Sequence, residues 1–255
     1  MASIYTYDNS KTLAHGLAQY IVAEQDKALE KGKRFNIAVS GGSQLKALNA
    51  GLIQDPQFKD KIQWSHWHVY FCDERIVALE NDDSNYGGFK KQVLDPLLSV
   101  DGALGPTCYA INESLVGLSE NDRVAAEYES LLPDHFDLIL LGCGPDGHTC
   151  SLFPGKTHEY LLQEREKRVA WCHSSPKPPA DRITFTLPVL ESAQALCFVA
   201  EGASKQPILE RVFEGHDTTL PAGLVTEHYQ SSVSWFVDAA AVKDVSIKKE
   251  TYSGN

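Results

Sequence analysis

Short apolar runs alternate along this chain with longer stretches in which apolar residues recur every three or four positions. Ile4–Tyr7 reads as a short strand. Lys11–Lys31 reads as an amphipathic helix with Leu13, Leu17, Tyr20, Ile21 and Leu29 on its apolar face. Phe35–Val39 is a buried-type strand that runs into Ser40-Gly41-Gly42-Ser43, with a helix expected from about Gln44 to Ile53. Trp67–Cys72 is the next strand, ending in Asp73-Glu74-Arg75, and helices are expected over Asn85–Leu98 and Glu120–Leu132. Further strands are expected at Phe136–Leu141, Arg168–His173, Ile183–Thr186, Ala195–Ala200 and Val233–Val237, with a helix at Ser204–Phe213 between the last two. Alternation of this kind predicts an α/β fold with a mostly parallel sheet covered by helices on both faces. No internal repeat or low-complexity linker interrupts it, so one domain spanning 1–255 is expected. The Pro-rich segment Ser175-Pro176-Lys177-Pro178-Pro179 reads as a loop within that domain, and the polar tail after Lys243 is expected to fray.

Composition narrows the partners. Of 255 residues, 43% are hydrophobic and 22% charged, which suits a large core and argues against global disorder. A net charge of −11 argues against nucleic acid or an anionic membrane as the main partner. An anionic ligand would have to be held by a few local cations and backbone N–H groups. The six cysteines (Cys72, Cys108, Cys143, Cys150, Cys172 and Cys197) form no CxxC pair and sit mostly in apolar runs, as expected of reduced thiols in a reducing compartment. No basic segment followed by an apolar core opens the chain, and no run reaches membrane-spanning length, so a cytoplasmic location is expected.

Four constellations carry candidate chemistry. Residues 141–155, Leu-Gly-Cys-Gly-Pro-Asp-Gly-His-Thr-Cys-Ser-Leu-Phe-Pro-Gly, follow a buried-type strand and hold four glycines around Asp146 and His148. Taken alone, the stretch could be a tight turn with a surface histidine. At the carboxyl end of a strand in an open sheet it becomes a ligand loop with a titratable base. His148 suits a general base acting on water; Asp146 could orient the imidazole, contact a substrate hydroxyl or hold the turn. Gly41-Gly42-Ser43 places free N–H groups at a helix start, where an anion is favoured, and Ser43 could donate its hydroxyl or cap the helix. It is neither GxGxxG nor a P-loop. Asp73 and Arg75 share one side of their strand and form either a surface ion pair or a buried pair beside a ligand. Arg182 at a strand start and Lys205 at a helix start could complete a phosphate clamp with the Gly41-Gly42-Ser43 amides. Metal-site and serine-hydrolase motifs are missing: His66 and His68 have no HExxH or Cys cluster beside them, and no GxSxG occurs.

Together, Ser40–Ser43, Asp73–Arg75, Gly142–Thr149 with Ser151–Gly155, and Arg182-Ile183-Thr184 resemble, in order, the 6-phosphogluconolactonase family. The resemblance covers nearly the whole chain, and the long glycine motif carries it. It implies an open Rossmann-like sheet and hydrolysis of 6-phospho-D-glucono-1,5-lactone to 6-phosphogluconate in the oxidative pentose phosphate pathway, without a cofactor or metal. It also implies His148 as the base and Arg75 near the reacting end, with Gly41, Gly42, Ser43, Arg182 and Lys205 around the 6-phosphate. Asp73, Gly144 and Asp146 complete the expected site. The expected partner is a phosphorylated sugar lactone, with the chain working as a monomer or weak homo-oligomer. Two rivals remain. In the related glucosamine-6-phosphate deaminases the turn runs on to a carboxylate where this chain has Phe153, and a catalytically silent sugar-phosphate-binding paralogue would keep the fold alone.

Overall fold

The structure, a computed structural model, describes residues 2–254. The chain opens with strand β1 (Ser3–Tyr7) and helix α1 (Ser10–Lys31), then β2 (Phe35–Val39) and α2 (Gln44–Leu48), β3 (Trp67–Phe71) and the short β4 (Asp73–Arg75). Helices α3 (Asn85–Phe89) and α4 (Asp95–Leu98), strand β5 (Thr107–Cys108) and helix α5 (Asn121–Glu129) lead to β6 (Leu138–Gly142). The second half holds α6 (Glu159–Gln163), β7 (Val169–Cys172), β8 (Arg182–Phe185), α7 (Leu187–Glu191), β9 (Leu196–Ala200), α8 (Gln206–Phe213), α9 (Pro221–His228) and β10 (Val233–Asp238).

Seven strands form a parallel sheet in the order β1-β10-β9-β6-β2-β3-β5. Side chains alternate across it. Phe35, Ile37, Val39, Leu138 and Leu140 face the core under α1, α2 and α3, while Ala38, Tyr70, Ile139 and Leu141 face the core under α5, α8 and α9. Asn9 caps α1, accepting from the N–H groups of Lys11 and Thr12, while its own N–H donates to Thr12 Oγ1. This reciprocal cap starts the helix where its apolar stripe begins. Leu13, Leu17 and Ile21 on that stripe are fully buried, each contributing roughly 1.5–3 kcal/mol of apolar transfer.

Several expectations need correction. The strands expected at Arg168–His173 and Ile183–Thr186 exist, but as β7 and β8 they leave the parallel sheet and pair antiparallel with β4 in the order β4-β8-β7. The helices expected at 44–53 and 85–98 are continuous in path but loosen into wider turns with i→i+5 bonding at Asn49–Gln54 and Lys90–Leu94. The tail after Lys243 docks instead of fraying. Thr6 N–H donates to Glu250 O at 2.6 Å, Gln19 Nε2 donates to Ser253 O, and the Tyr252 ring packs edge-on against Tyr5 and Tyr20. Among the described residues no helix is long and apolar enough to cross a membrane.

Candidate active site

The order of the strands dictates where a ligand can sit. From β2 the chain moves outward to β3 and β5, then returns to β6 on the other side of β2 and moves outward again to β9 and β10. The two loops at the carboxyl ends of β2 and β6 therefore diverge and leave a crevice, the position at which open α/β sheets bind ligands. A cleft of about 360 Å³ opens there. Gly41, Gly42, Ser43, Asp73, Arg75, Gly144, His148, Arg182 and Lys205 all line it. Residues dispersed over more than 160 positions thus meet at one edge of the sheet, and Asp146 stands directly behind His148.

Beyond β6 the chain makes a tight turn, Gly147 N–H donating to Gly144 O and Gly144 N–H donating to His148 O. Gly147 adopts φ +80°, where side chains are disfavoured, and a Cβ on Gly144 would occupy the space of the His148 ring. These two glycines let the histidine fold back over its own loop. His148 Nδ1 makes a very short hydrogen bond with Asp146 Oδ1, and the ring rests on buried Phe153 with centroids 4.8 Å apart. Nε2 has no protein partner among the described residues. Burial alone would raise the Asp146 carboxyl; the hydrogen bond and charge of His148, with the charge of Lys177, hold it well below the usual carboxylate range. Of the three roles open for Asp146, orienting the imidazole is the one this geometry supports.

The wall opposite is built by β4. Asp73 and Arg75 do not pair with each other, contrary to the option drawn from strand alternation. Asp73, 5% exposed, accepts from Ser151 Oγ at 2.7 Å and from Asn85 Nδ2 at 3.2 Å, and its charge partner is buried Arg182, 3.9 Å away. Arg75 instead donates from Nη1 to Asp83 O, and its buried Nε has no partner. Glu74, on the other side of the strand, accepts from the backbone N–H groups of Arg75, Asn85 and Tyr86 and from Ser84 Oγ, so it anchors the start of α3.

Burial pushes the Glu74 carboxyl up to about 7, against the three backbone N–H groups that favour its ionised form. The folded protein therefore holds this proton more tightly than the unfolded chain, whose carboxyl titrates near 4.5. The associated stability is present below about pH 4.5 and is lost as pH rises through 7, a change of roughly 3 kcal/mol. Urea unfolding midpoints from pH 4 to 8 check this: the stability of wild type relative to Glu74→Gln is expected to fall across that window.

At the other end of the cleft lie the anion donors. Ser43 begins α2 without making a side-chain cap, leaving its hydroxyl free, and the N–H groups of Gly41, Gly42 and Ser43 have no partner among the described residues. Lys205, just before α8, reaches back to donate to Cys143 O at 2.5 Å. Arg182 lines the cleft, but its guanidinium is not a free fork. Nε donates to Pro179 O, Nη2 to Lys177 O and Pro178 O, and Nη1 lies 3.5 Å from Ser151 Oγ. These bonds tie the guanidinium to the Pro-rich loop. Burial pushes the Cys143 thiol up to about 12, which disfavours its thiolate form.

Two lining residues escaped the sequence reading. Asn85, read from the sequence as the start of a helix, bridges Asp73 with its amide and packs against Gly41. Lys177, passed over as a loop lysine, places Nζ 3.3 Å from Asp146 Oδ1 and 3.1 Å from His148 Nδ1. The three prolines around it, Pro176, Pro178 and Pro179, were the available signal, since such a segment is stiff enough to aim a long side chain.

A family model described as glucosamine-6-phosphate isomerases/6-phosphogluconolactonase matches residues 8–235. The chain is 52% identical over 250 residues to 6-phosphogluconolactonase 3 of Saccharomyces cerevisiae, covering 97% of this chain and 99% of that one. It is 47% identical to 6-phosphogluconolactonase 4 of the same yeast, covering 94% and 97%. Among solved structures, the 6-phosphogluconolactonase from Leishmania guyanensis superposes with a TM-score of 0.79 at 24% identity, covering 97% of this chain and all of that one.

Proposed function

Since the chain belongs to the glucosamine-6-phosphate isomerase/6-phosphogluconolactonase family, we propose that it hydrolyses 6-phospho-D-glucono-1,5-lactone to 6-phosphogluconate with His148 as the general base. The lactonase side of the family is supported by end-to-end similarity to the yeast enzymes. The observation that carries the mechanism is the His148 ring itself, with Nδ1 occupied by Asp146 and Nε2 turned to no protein group. In that state Nε2 is a lone pair within the cleft.

Nε2 takes a proton from water as the water oxygen attacks the lactone carbonyl carbon. The resulting imidazolium is stabilised by Asp146. The tetrahedral oxyanion develops in the cleft that Arg75 lines, and the Arg75 guanidinium is the cation there to stabilise it or to fix the sugar hydroxyls. Collapse breaks the bond from the carbonyl carbon to the ring oxygen, and His148 returns its proton to that oxygen. The product carboxylic acid then ionises. The 6-phosphate is held by the Gly41, Gly42 and Ser43 amides, the Ser43 hydroxyl and Lys205, while Arg182 supports the wall between the two ends. A strained cyclic ester needs little beyond a positioned base and these contacts.

The deaminase reading lacks its proton-transfer group, because Phe153 occupies that place and packs under the imidazole. A silent paralogue would not need Asp146, His148 and the anion donors in one cleft. Lactone generated in situ by oxidation of glucose 6-phosphate, with the spontaneous ring opening subtracted, tests the proposal. Turnover well above background is expected. A rate equal to background, with 6-phosphogluconate still binding, would leave the silent paralogue.

A further inference from the structure

The chemistry above leaves one charged group beside the base without a task. Lys177 is held in place by its own backbone. Its carbonyl accepts from Arg182 Nη2 at 3.0 Å and from Ser175 Oγ at 2.8 Å, and its N–H donates to Ser175 Oγ. Ser175 N–H closes the loop onto Ala180 O, and His158 Nε2 ties down Ser174 O at 3.1 Å. A lysine on a mobile surface loop gains little from a nearby carboxylate, because ordering its stem offsets the pairing. Here most of the ordering is already done by the loop, and the Lys177 side chain is 37% exposed.

Lys177 Nζ, Asp146 Oδ1 and His148 Nδ1 form a triangle. An ammonium can only donate, so Nδ1 cannot both donate to Asp146 and accept from Lys177. The arrangement that satisfies all three atoms has Oδ1 accepting from both, Nδ1 carrying its proton and Nε2 bare. Asp146 alone would favour the imidazolium, which is useless as a base; a cation next to the ring opposes that charge. The other charges near the ring are more remote. Arg182 lies 5.8 Å from the Phe153 ring on which the imidazole rests, and His158 packs against that ring with centroids 5.4 Å apart. Asp73, Arg75 and Lys205 line the remainder of the cleft.

We propose that Lys177 is a positioning residue for His148: it shares Asp146 Oδ1 with the Nδ1–H, which fixes the tautomer with a free Nε2, and its ammonium opposes a second positive charge on the ring. The consequence for rate rests on the lactonase reading above, whereas the effect on the imidazole does not.

The test is a nitrogen-detected NMR titration of His148 in wild type, Lys177→Met and Lys177→Arg, beside the pH dependence of kcat/KM on the lactone. In Lys177→Met the His148 midpoint is expected to rise by about one pH unit, with the acid limb of kcat/KM moving by the same amount. That is roughly a tenfold loss on the limb, largely recovered at high pH. Lys177→Arg, which keeps the charge, is expected to titrate near wild type. An unchanged midpoint in Lys177→Met, or an Arg variant that behaves like Met, overturns the proposal. Should the Met variant not fold, the Lys177 Cε signal of wild type decides: it must respond at the His148 midpoint, since the coupling is reciprocal, and no response overturns the assignment. Wild type that fails to turn over the lactone sinks the lactonase reading, and the titration still judges Lys177.

Discussion

His148→Ala is expected to lower kcat/KM for the lactone by about 10²–10⁴-fold, the usual contribution of a positioned general base. The loss should fall on kcat, with KM changing little, because the anion donors at Gly41–Ser43 and Lys205 are on other loops. Folding should survive the change. The ring lies at the cleft surface against Phe153, and Asp146 retains Lys177 as a charge partner when the imidazole is gone. Activity assayed beside a thermal melt checks both points. Wild-type kcat/KM in the variant would mean that another group activates water. The nearest carboxylate in the cleft, Asp73, is a poor substitute, since Ser151, Asn85 and Arg182 already occupy it.

The parts of this molecule that were legible in the sequence share one property: their signal is local. Ile37–Val39 and Leu138–Leu141 are continuous apolar runs because strands in the middle of a parallel sheet are buried on both faces. The glycines around Asp146 and His148 signalled a loop at a strand end, and the carboxyl edge of the sheet is where that loop lies. Helix α9 was missed for the opposite reason. Pro221, Ala222, Gly223, Val225 and Thr226 are all buried, so no polar face marks a helical period. Strand β5 is two residues long and α7 five, too short to show any period.

Partnerships were less legible than positions. Every sequence-derived site residue reached the cleft or its edge, but Asp73 pairs with a residue 109 positions away instead of Arg75 two positions away. That choice depends on β8 pairing antiparallel with β4, which sets Arg75 opposite Arg182 and Asp73 opposite Thr184. No local pattern encodes such a register. Lys177 escaped for a related reason, because its task is defined by where Arg182 and Ser175 pull its backbone.

Arg182 is expected to carry the largest stability effect of any single charge in the site. Arg182→Leu would leave the Asp73 carboxylate, 5% exposed, without its cation and the carbonyls of Lys177, Pro178 and Pro179 without this donor. Removing one partner of a buried pair typically costs about 3–5 kcal/mol, chiefly because the remaining charge has no compensation. For a chain of this size that corresponds to a fall in melting temperature on the order of 10 °C. Arg182→Lys keeps the charge but has one nitrogen where Arg182 spreads three over the loop carbonyls and Asp73, so it should fall between wild type and Arg182→Leu. Adding Asp73→Asn to Arg182→Leu removes the stranded charge and should recover part of the loss, a coupling that a double-mutant cycle of urea unfolding measures directly. If Arg182→Leu instead costs less than about 1 kcal/mol, as a solvated charge would, its bonds to the loop are not a strut. Arg182 would then return to the role first expected of it, a free donor waiting for phosphate.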